Sequence, residues 1–278
     1  ASLRAAMEDA FGASDGDGAW VWKDAYEAAE IAQILMLSKY GALVRKQAGT
    51  PQKHLAMIEK LAQLVPSQTR RSEDSIRLQQ FSTPLPLAMI AAEAAQLRTG
   101  EILLEPSAGT GMLAVFGQNI GCTLALNELA DTRRELLALT FPEVVPSAHD
   151  AGAIDDRLDR AVAPSVILMN PPFSAAPHVG GAFKPATSQH VLSALARLAP
   201  GGRLVAITGA NFNPTSKSFA KAFERIADLG RITFSAPIAG KVFARHGTTV
   251  ETRLTVIDKY APHNTPQDAI DPKVFLPI

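Results

Sequence analysis

Hydrophobic positions along this chain follow two different periods, and the change falls near residue 80. AYEAAEIAQILMLSKYGALVRKQ (25–47) places Ala28, Ile31, Ile34, Leu35 and Leu43 near helical spacing. QKHLAMIEKLAQLVP (52–66) repeats that spacing until Pro66 stops it. The polar QTRRSEDSIR (68–77) reads as a linker or exposed turn. From there on, short apolar runs bounded by Gly, Pro or polar residues alternate with helical stretches. The runs are EILLEP, TLALNE, VILMN, RLVAITG, RITFSAP and RLTVID; the stretches include ADTRRELLALT, SQHVLSALARLAP and SFAKAFERIADLG. Such alternation predicts an α/β fold with a mostly parallel, doubly wound sheet covered by helices on both faces. The expected organisation is an N-terminal helical region (1–76), an α/β domain (77–260) and a proline-punctuated C-terminal extension (261–278).

Composition narrows this only a little. The chain has 278 residues, room for one large α/β domain with an appendage, and a hydrophobic fraction of 47% that suits a globular core. No apolar run approaches the length of a membrane span, so no membrane partner is expected, and the single Cys122 rules out an intrachain disulfide. The expected location is cytoplasmic. The N-terminus lacks a signal-peptide h-region and opens without Met, as expected for an excised piece of a larger polypeptide. Charge sums to zero, with 27 Lys and Arg against 27 Asp and Glu, which argues mildly against a large nucleic-acid footprint. It is unevenly spread. Residues 201–260 carry nine basic against four acidic side chains, and residues 101–200 carry six against ten.

The candidate chemistry begins at EILLEPSAGTGMLAVFG, which reads as strand, tight turn and helix. Gly109 and Gly111 can adopt conformations closed to other residues and let a ligand approach the main chain. Neither phosphate-loop pattern is complete: the third glycine would fall on Ala114, and no Lys follows. The acid before the turn, Glu105, repels phosphate but attracts a cationic or amine-bearing ligand. Glu128 ends the next strand, where a carboxylate in doubly wound folds accepts both hydroxyls of a ribose. Asp150 follows the expected third strand. Carboxylates at consecutive strand ends line one crevice, although each alone is equally a helix N-cap or a solvated end.

The succession LLEPSAGTGMLA, NE, HD and NPPF resembles the Rossmann-like S-adenosylmethionine-dependent methyltransferases. Within them it is most similar to the N6-adenine DNA type. FSTPLPLAMIAAE ahead of the glycine loop is similar to the cofactor-binding segment of the subgroup that carries it N-terminally. The resemblance covers roughly 80–259 and implies S-adenosylmethionine as cofactor. It implies that Phe81, Thr83 and Pro84 flank the methionine end, that Glu105 and the turn Pro106, Ser107, Ala108, Gly109 and Gly111 hold its amino-acid part, that Glu128 takes the ribose, and that Asp150 accepts from the exocyclic amine of its adenine. The motif spacing also resembles methylase-like domains attached to large helicase-type proteins of phages and plasmids. Other domains of such a polypeptide are then expected partners.

The tetrapeptide Asn170-Pro171-Pro172-Phe173 is the most specific element. An exocyclic base amine is a weak nucleophile because its lone pair is delocalised into the ring. Two acceptors aimed at its hydrogens stabilise the positive charge that develops as it attacks a methyl group. Asn170 offers a side-chain carbonyl and Pro171 a main-chain one; the prolines fix φ and remove N–H donors, and Phe173 can stack on the base. Duplex DNA would have to present such a base flipped or unpaired. The loop after the motif, with two glycines and Phe183, reads as a mobile flap; Phe212 and Phe243 are secondary stacking candidates, and Lys217, Lys241 and Arg245 are candidate phosphate contacts.

Asp15 and Asp17 in ASDGDG fail as a calcium loop because the twelfth position is Tyr26 instead of Glu. No metal site is expected; His149 and His246 read as non-catalytic, and Cys122 as packing. Three readings follow: a DNA N6-adenine methyltransferase, a methyltransferase acting on RNA bases or protein glutamine, and a catalytically silent cofactor- or DNA-binding module.

Overall fold

The computed structural model describes residues 2–68, 82–172 and 186–261. Phe81, Phe173, Phe183, most of the 68–77 linker and nearly all of the C-terminal extension lie outside them. Three helices come first: α1 (Leu3–Phe11), α2 (Trp22–Ala48) and α3 (Pro51–Ala62). The break between α2 and α3 is written in the sequence Gly-Thr-Pro. Gly49 ends α2 in the left-handed region, the Thr50 side chain accepts from Lys53 N, and Pro51 occupies the first helical position.

The α/β part runs α4 (Leu85–Ala95), β1 (Ile102–Glu105), α5 (Ala114–Ile120), β2 (Thr123–Leu126), α6 (Asp131–Thr140), the single turn α7 (Ile154–Arg157), β3 (Val166–Met169), α8 (Ala186–Arg197), β4 (Arg203–Gly209), α9 (Ala220–Leu229), β5 (Gly230–Ile238) and β6 (Thr252–Lys259). All six apolar runs are strands of one sheet ordered β2-β1-β3-β4-β6-β5. Neighbours from β2 to β4 pair in parallel, whereas β6 runs antiparallel to both β4 and β5. The sheet is therefore mixed at one edge.

The stretch before Asp150 contributes no full strand, only one parallel bridge between Asn127 and Ser147. Pro142 and Pro146 remove ladder donors on either side of Val144 and Val145, which stops a strand from propagating.

Alternation along the strands sorts the core into two layers. Leu103, Val166, Leu168, Val205 and Ile207 point to one face and pack with residues of α2, α3, α4 and α5. Leu104, Ile167, Met169, Leu204 and Ala206 point to the other and pack with α7, α8 and α9. The N-terminal helices thus share a core with the sheet. The buried stripe of α2 follows those spaced positions only in part. Ile34 and Leu37 are buried, but Ala28, Leu35 and Leu43 face solvent, and Glu27, Glu30 and Gln33 occupy the buried face instead. Apolar residues surround this helix, so spacing alone does not select a face; partners available to the polar residues do.

The ASDGDG stretch forms a single 3-10 turn in which Asp15 accepts from Trp22 Nε1. No described helix is long and apolar enough to cross a membrane.

Candidate active site

Because β1, β2 and β3 are parallel neighbours, their C-terminal ends open on the same side of the sheet. There a cleft is lined by the expected Thr83, Glu105, Ser107, Ala108, Gly109 and Glu128, and by Asn170, Pro171 and Pro172 of the tetrapeptide. Ser82, Thr110, Met112 and Arg133 complete the lining. One concave site therefore gathers residues from four separate segments.

The glycine turn is held from below. Ala108 N donates to Asn127 O at 2.9 Å, and Gly109 N donates to Glu128 Oε2 at 2.8 Å. Gly111 has φ +91, and an added Cβ would overlap the Phe141 ring of the α6 end. Only glycine permits that approach of turn to helix. Asn127, unassigned from sequence, is buried and donates to Pro106 O and His149 O while accepting from Ser147 Oγ and His149 N. It binds the glycine turn to the 147–149 segment.

Each of the three strand-end acids also accepts from backbone amides. Glu105 accepts from Ala114 N at 2.9 Å, Glu128 from Ala130 N at 2.9 Å as well as Gly109 N, and Asp150 from Gly152 N at 2.8 Å. Asp150 stands apart. It is exposed, caps the Ala151–Ala153 turn and does not line the cleft. Pro106 and Gly111 sit in the turn without lining the cleft, and Pro84 caps α4 behind it.

Asn170 is tied to the FSTP segment: its Nδ2 donates to Thr83 Oγ1 at 3.0 Å across 87 positions of sequence. Pro172 O accepts from Thr187 Oγ1 at 2.9 Å, which secures the motif to the start of α8. The side-chain carbonyl of Asn170 is thereby oriented as the opposite end of a fixed amide.

Further residues back the cleft without a motif to mark them. Glu30 of α2 is buried and accepts from Thr110 Oγ1 at 3.1 Å and from Gln68 Nε2 at 3.0 Å. Glu27, one turn earlier, accepts from Arg133 Nε at 2.8 Å. Their signal was present: they continue the Gln33, Ile34 and Leu37 stripe toward the start of α2, and carboxylates in core phase require partners. Burial raises the Glu105 carboxyl well above its usual value, opposed by its hydrogen bond from Ala114 and reinforced by Glu128. Burial also raises Glu30, against its hydrogen bonds. Burial alone would lower Arg133, but Glu27, Glu128 and Glu30 hold it above its ordinary value.

Other candidates turn inward. Phe212 and Phe243 are fully buried, and Phe212 packs edge-on against Phe219 and tilted against Phe223 with centroids 5.1 and 4.8 Å away. Neither ring is available to a base in this conformation. Arg245 Nη2 donates to Val65 O at 2.6 Å, joining the Gly240–His246 turn to the end of α3. His246 beside it is driven down to about 4 by burial and by Arg245. Cys122 lies just ahead of β2, packs against the core edge, and is raised to about 11 by burial and Glu101. Among the described residues no cluster of three or more His, Cys, Asp or Glu side chains could hold a metal.

The cleft fits S-adenosylmethionine by the chemistry of its lining. Two buried acids face the need for ammonium and ribose-hydroxyl acceptors, and Gly109 leaves the main chain open at φ +56 with nothing within 4 Å of an added Cβ.

No protein-family profile and no curated protein sequence matches the chain. Solved structures do. The fold is similar to the type I restriction-modification methyltransferase subunit of Streptococcus thermophilus, with TM-score 0.57 and 15% identity over 76% of this chain and 49% of that one. It is similar to a modification subunit assigned to a type I restriction enzyme of Vibrio vulnificus, with TM-score 0.55 and 16% identity over 79% and 50%. It is also similar to a protein from Listeria monocytogenes assigned as a class I S-adenosylmethionine-dependent methyltransferase, with TM-score 0.56 and 13% identity over 88% and 95%. The chain has a Rossmann-like methyltransferase fold. The chain spans about half the length of the two restriction-modification subunits.

Proposed function

We propose that this chain is an S-adenosylmethionine-dependent methyltransferase acting on the exocyclic amine of a nucleic-acid base, with N6 of adenine in DNA as the favoured target. The observation that carries this reading is the convergence of Asn170, Pro171 and Pro172 on the cleft that Glu105, Glu128 and the glycine turn line. When bound, the cofactor supplies an electrophilic methyl group on a sulfonium.

The residues of the chain do the rest. Glu105 and the turn around Ala108 to Gly111 hold the amino-acid end, with Thr83 flanking it, and Glu128 accepts from the ribose hydroxyls. Asp150, exposed and outside the cleft lining, is assigned the exocyclic amine of the cofactor's adenine on the motif resemblance alone. Thr83 holds the Asn170 amide, so that its carbonyl and that of Pro171 accept from the two hydrogens of the substrate amine. Those acceptors draw the amine toward tetrahedral geometry and stabilise its developing charge, and in-line placement supplies the remainder. Phe173, next in sequence, stacks on a flipped or unpaired base. Selection of a target sequence falls to other domains of a longer polypeptide.

Three alternatives differ in outcome. Labelled S-adenosylmethionine is incubated with the chain and, separately, with adenine-rich DNA, RNA and cell-extract protein. Label in N6-methyladenine of DNA supports the proposal; label in RNA bases or in protein glutamine replaces it. Cofactor binding with no transfer to any of them marks a catalytically silent module. Asn170→Ala is expected to lower transfer by at least roughly a hundredfold with cofactor affinity nearly unchanged. Glu128→Ala is expected to weaken cofactor binding roughly tenfold or more. Undiminished transfer by Asn170→Ala would overturn the mechanism.

A further inference from the structure

We infer that Arg133 anchors the carboxylate of the cofactor's amino-acid moiety, and that Glu27 of the N-terminal helix α2 holds Arg133 for that task. The inference rests on the cofactor reading above.

A sulfonium and an ammonium are both cations, so a cleft built for them gains from acids and loses from bases. The described lining nevertheless contains one cation, Arg133. Glu27 already pairs with its Nε, and the rest of its fork suits a ligand that also carries an anion, as the methionine end of S-adenosylmethionine does. The guanidinium is equipped for this. Its Nε is engaged by Glu27 at 2.8 Å, and among the described residues Nη1 and Nη2 make no hydrogen bond. The side chain is 14% exposed, which leaves a largely desolvated planar fork at the cleft.

The neighbouring acids do not already occupy that fork. Glu128 is engaged by Gly109 N and Ala130 N, and Glu30 by Thr110 and Gln68. Arg133 lies one turn before Leu137 on α6, and Leu137 with Phe141 is what Gly111 packs against. The guanidinium is thus on the glycine-turn side of its helix. Ser82 and Thr110, which share the lining with it, spend their hydroxyl protons on Glu30, so the guanidinium is the donor left for that carboxylate. A zwitterion would then lie across the cleft with its ammonium toward Glu105 and its carboxylate toward Arg133.

A purely structural Arg133, present only to neutralise Glu27, Glu30 and Glu128, makes a different prediction. Dissociation constants are measured by calorimetry for S-adenosylmethionine and for its decarboxylated analogue, which keeps sulfonium, ammonium and adenosine. The wild type is expected to prefer the carboxylate-bearing ligand by roughly ten- to hundredfold. In Arg133→Gln that preference is expected to collapse toward unity, with the analogue's affinity nearly unchanged. Equal weakening of both ligands in Arg133→Gln, or no preference in the wild type, overturns the assignment. If Arg133→Gln alone melts at a lower temperature because Glu27 is left unpaired, Glu27→Gln/Arg133→Gln removes both charges, and the same ratio decides. A wild type that binds neither ligand overturns the cofactor reading itself, and this inference with it.

Discussion

At the scale of single residues, the carboxylates of the site serve two purposes at once. A strand-end acid can be a ligand group or a helix cap, and sequence alone weighs these as alternatives. In the fold Glu105, Glu128 and Asp150 all accept from backbone amides, while Glu105 and Glu128 also line the cleft. The roles are compatible because a carboxylate has about four lone-pair directions and one or two amides leave the rest for a ligand. Glu105 carries a testable pH signature. Its folded-state affinity for a proton exceeds that of the unfolded chain, so the folded state binds more protons above the ordinary carboxylate range. Stability of the cofactor-free protein should therefore fall as pH rises from that range through the raised folded value. Glu105→Gln should flatten this slope, and only partly, because Glu30 is raised in the same direction. Urea midpoints measured against pH check it; an unchanged slope would refute the burial account. Cofactor affinity should drop in the same variant.

At the scale of elements, the glycine turn and α6 are one unit. The pattern Gly109-x-Gly111 was readable as a turn, but the reason for its second glycine was not, because Phe141 lies thirty positions on. Gly111→Ala would force an alanine to φ +91 and push its methyl into Phe141 and Leu137. The expected cost is about 3 kcal/mol of stability together with weaker cofactor binding, measured by denaturant unfolding and calorimetry. Helix α2 gives the opposite lesson. Its existence is plain from spacing, yet spacing does not select its buried face. Apolar side chains on several sides hid the stripe on which Glu27 and Glu30 lie, and those acids look like surface residues until Arg133, Thr110 and Gln68 arrive from elsewhere.

At the scale of the molecule, α2, α3, α4 and α5 share one apolar layer with β1, β3, β4 and β6. Ser38 of α2 donates to Gln118 of α5 at 2.8 Å, and the N-terminal acids back the cleft. We expect the N-terminal helices and the sheet to unfold together. Both tryptophans, Trp20 and Trp22, lie ahead of or at the start of α2. Their fluorescence should therefore report the same urea transition as far-UV circular dichroism, which follows all the helices and strands. Separate midpoints would show that the helical region folds on its own.

By itself, the sequence determined the alternation of strands and helices, the glycine turn, the strand-end acids and the Asn-Pro-Pro-Phe motif. Each of these is local: periodicity, turn chemistry and motif spacing are properties of a few neighbouring residues. Tertiary structure decided which way β6 runs, that the expected third strand shrinks to a single bridge, and that Thr83 holds Asn170. It also decided that Glu27 and Arg133, 106 positions apart, pair at the cleft. Those outcomes depend on burial and on partners distant in sequence, and a charged side chain shows its partner only once folding has removed both from water.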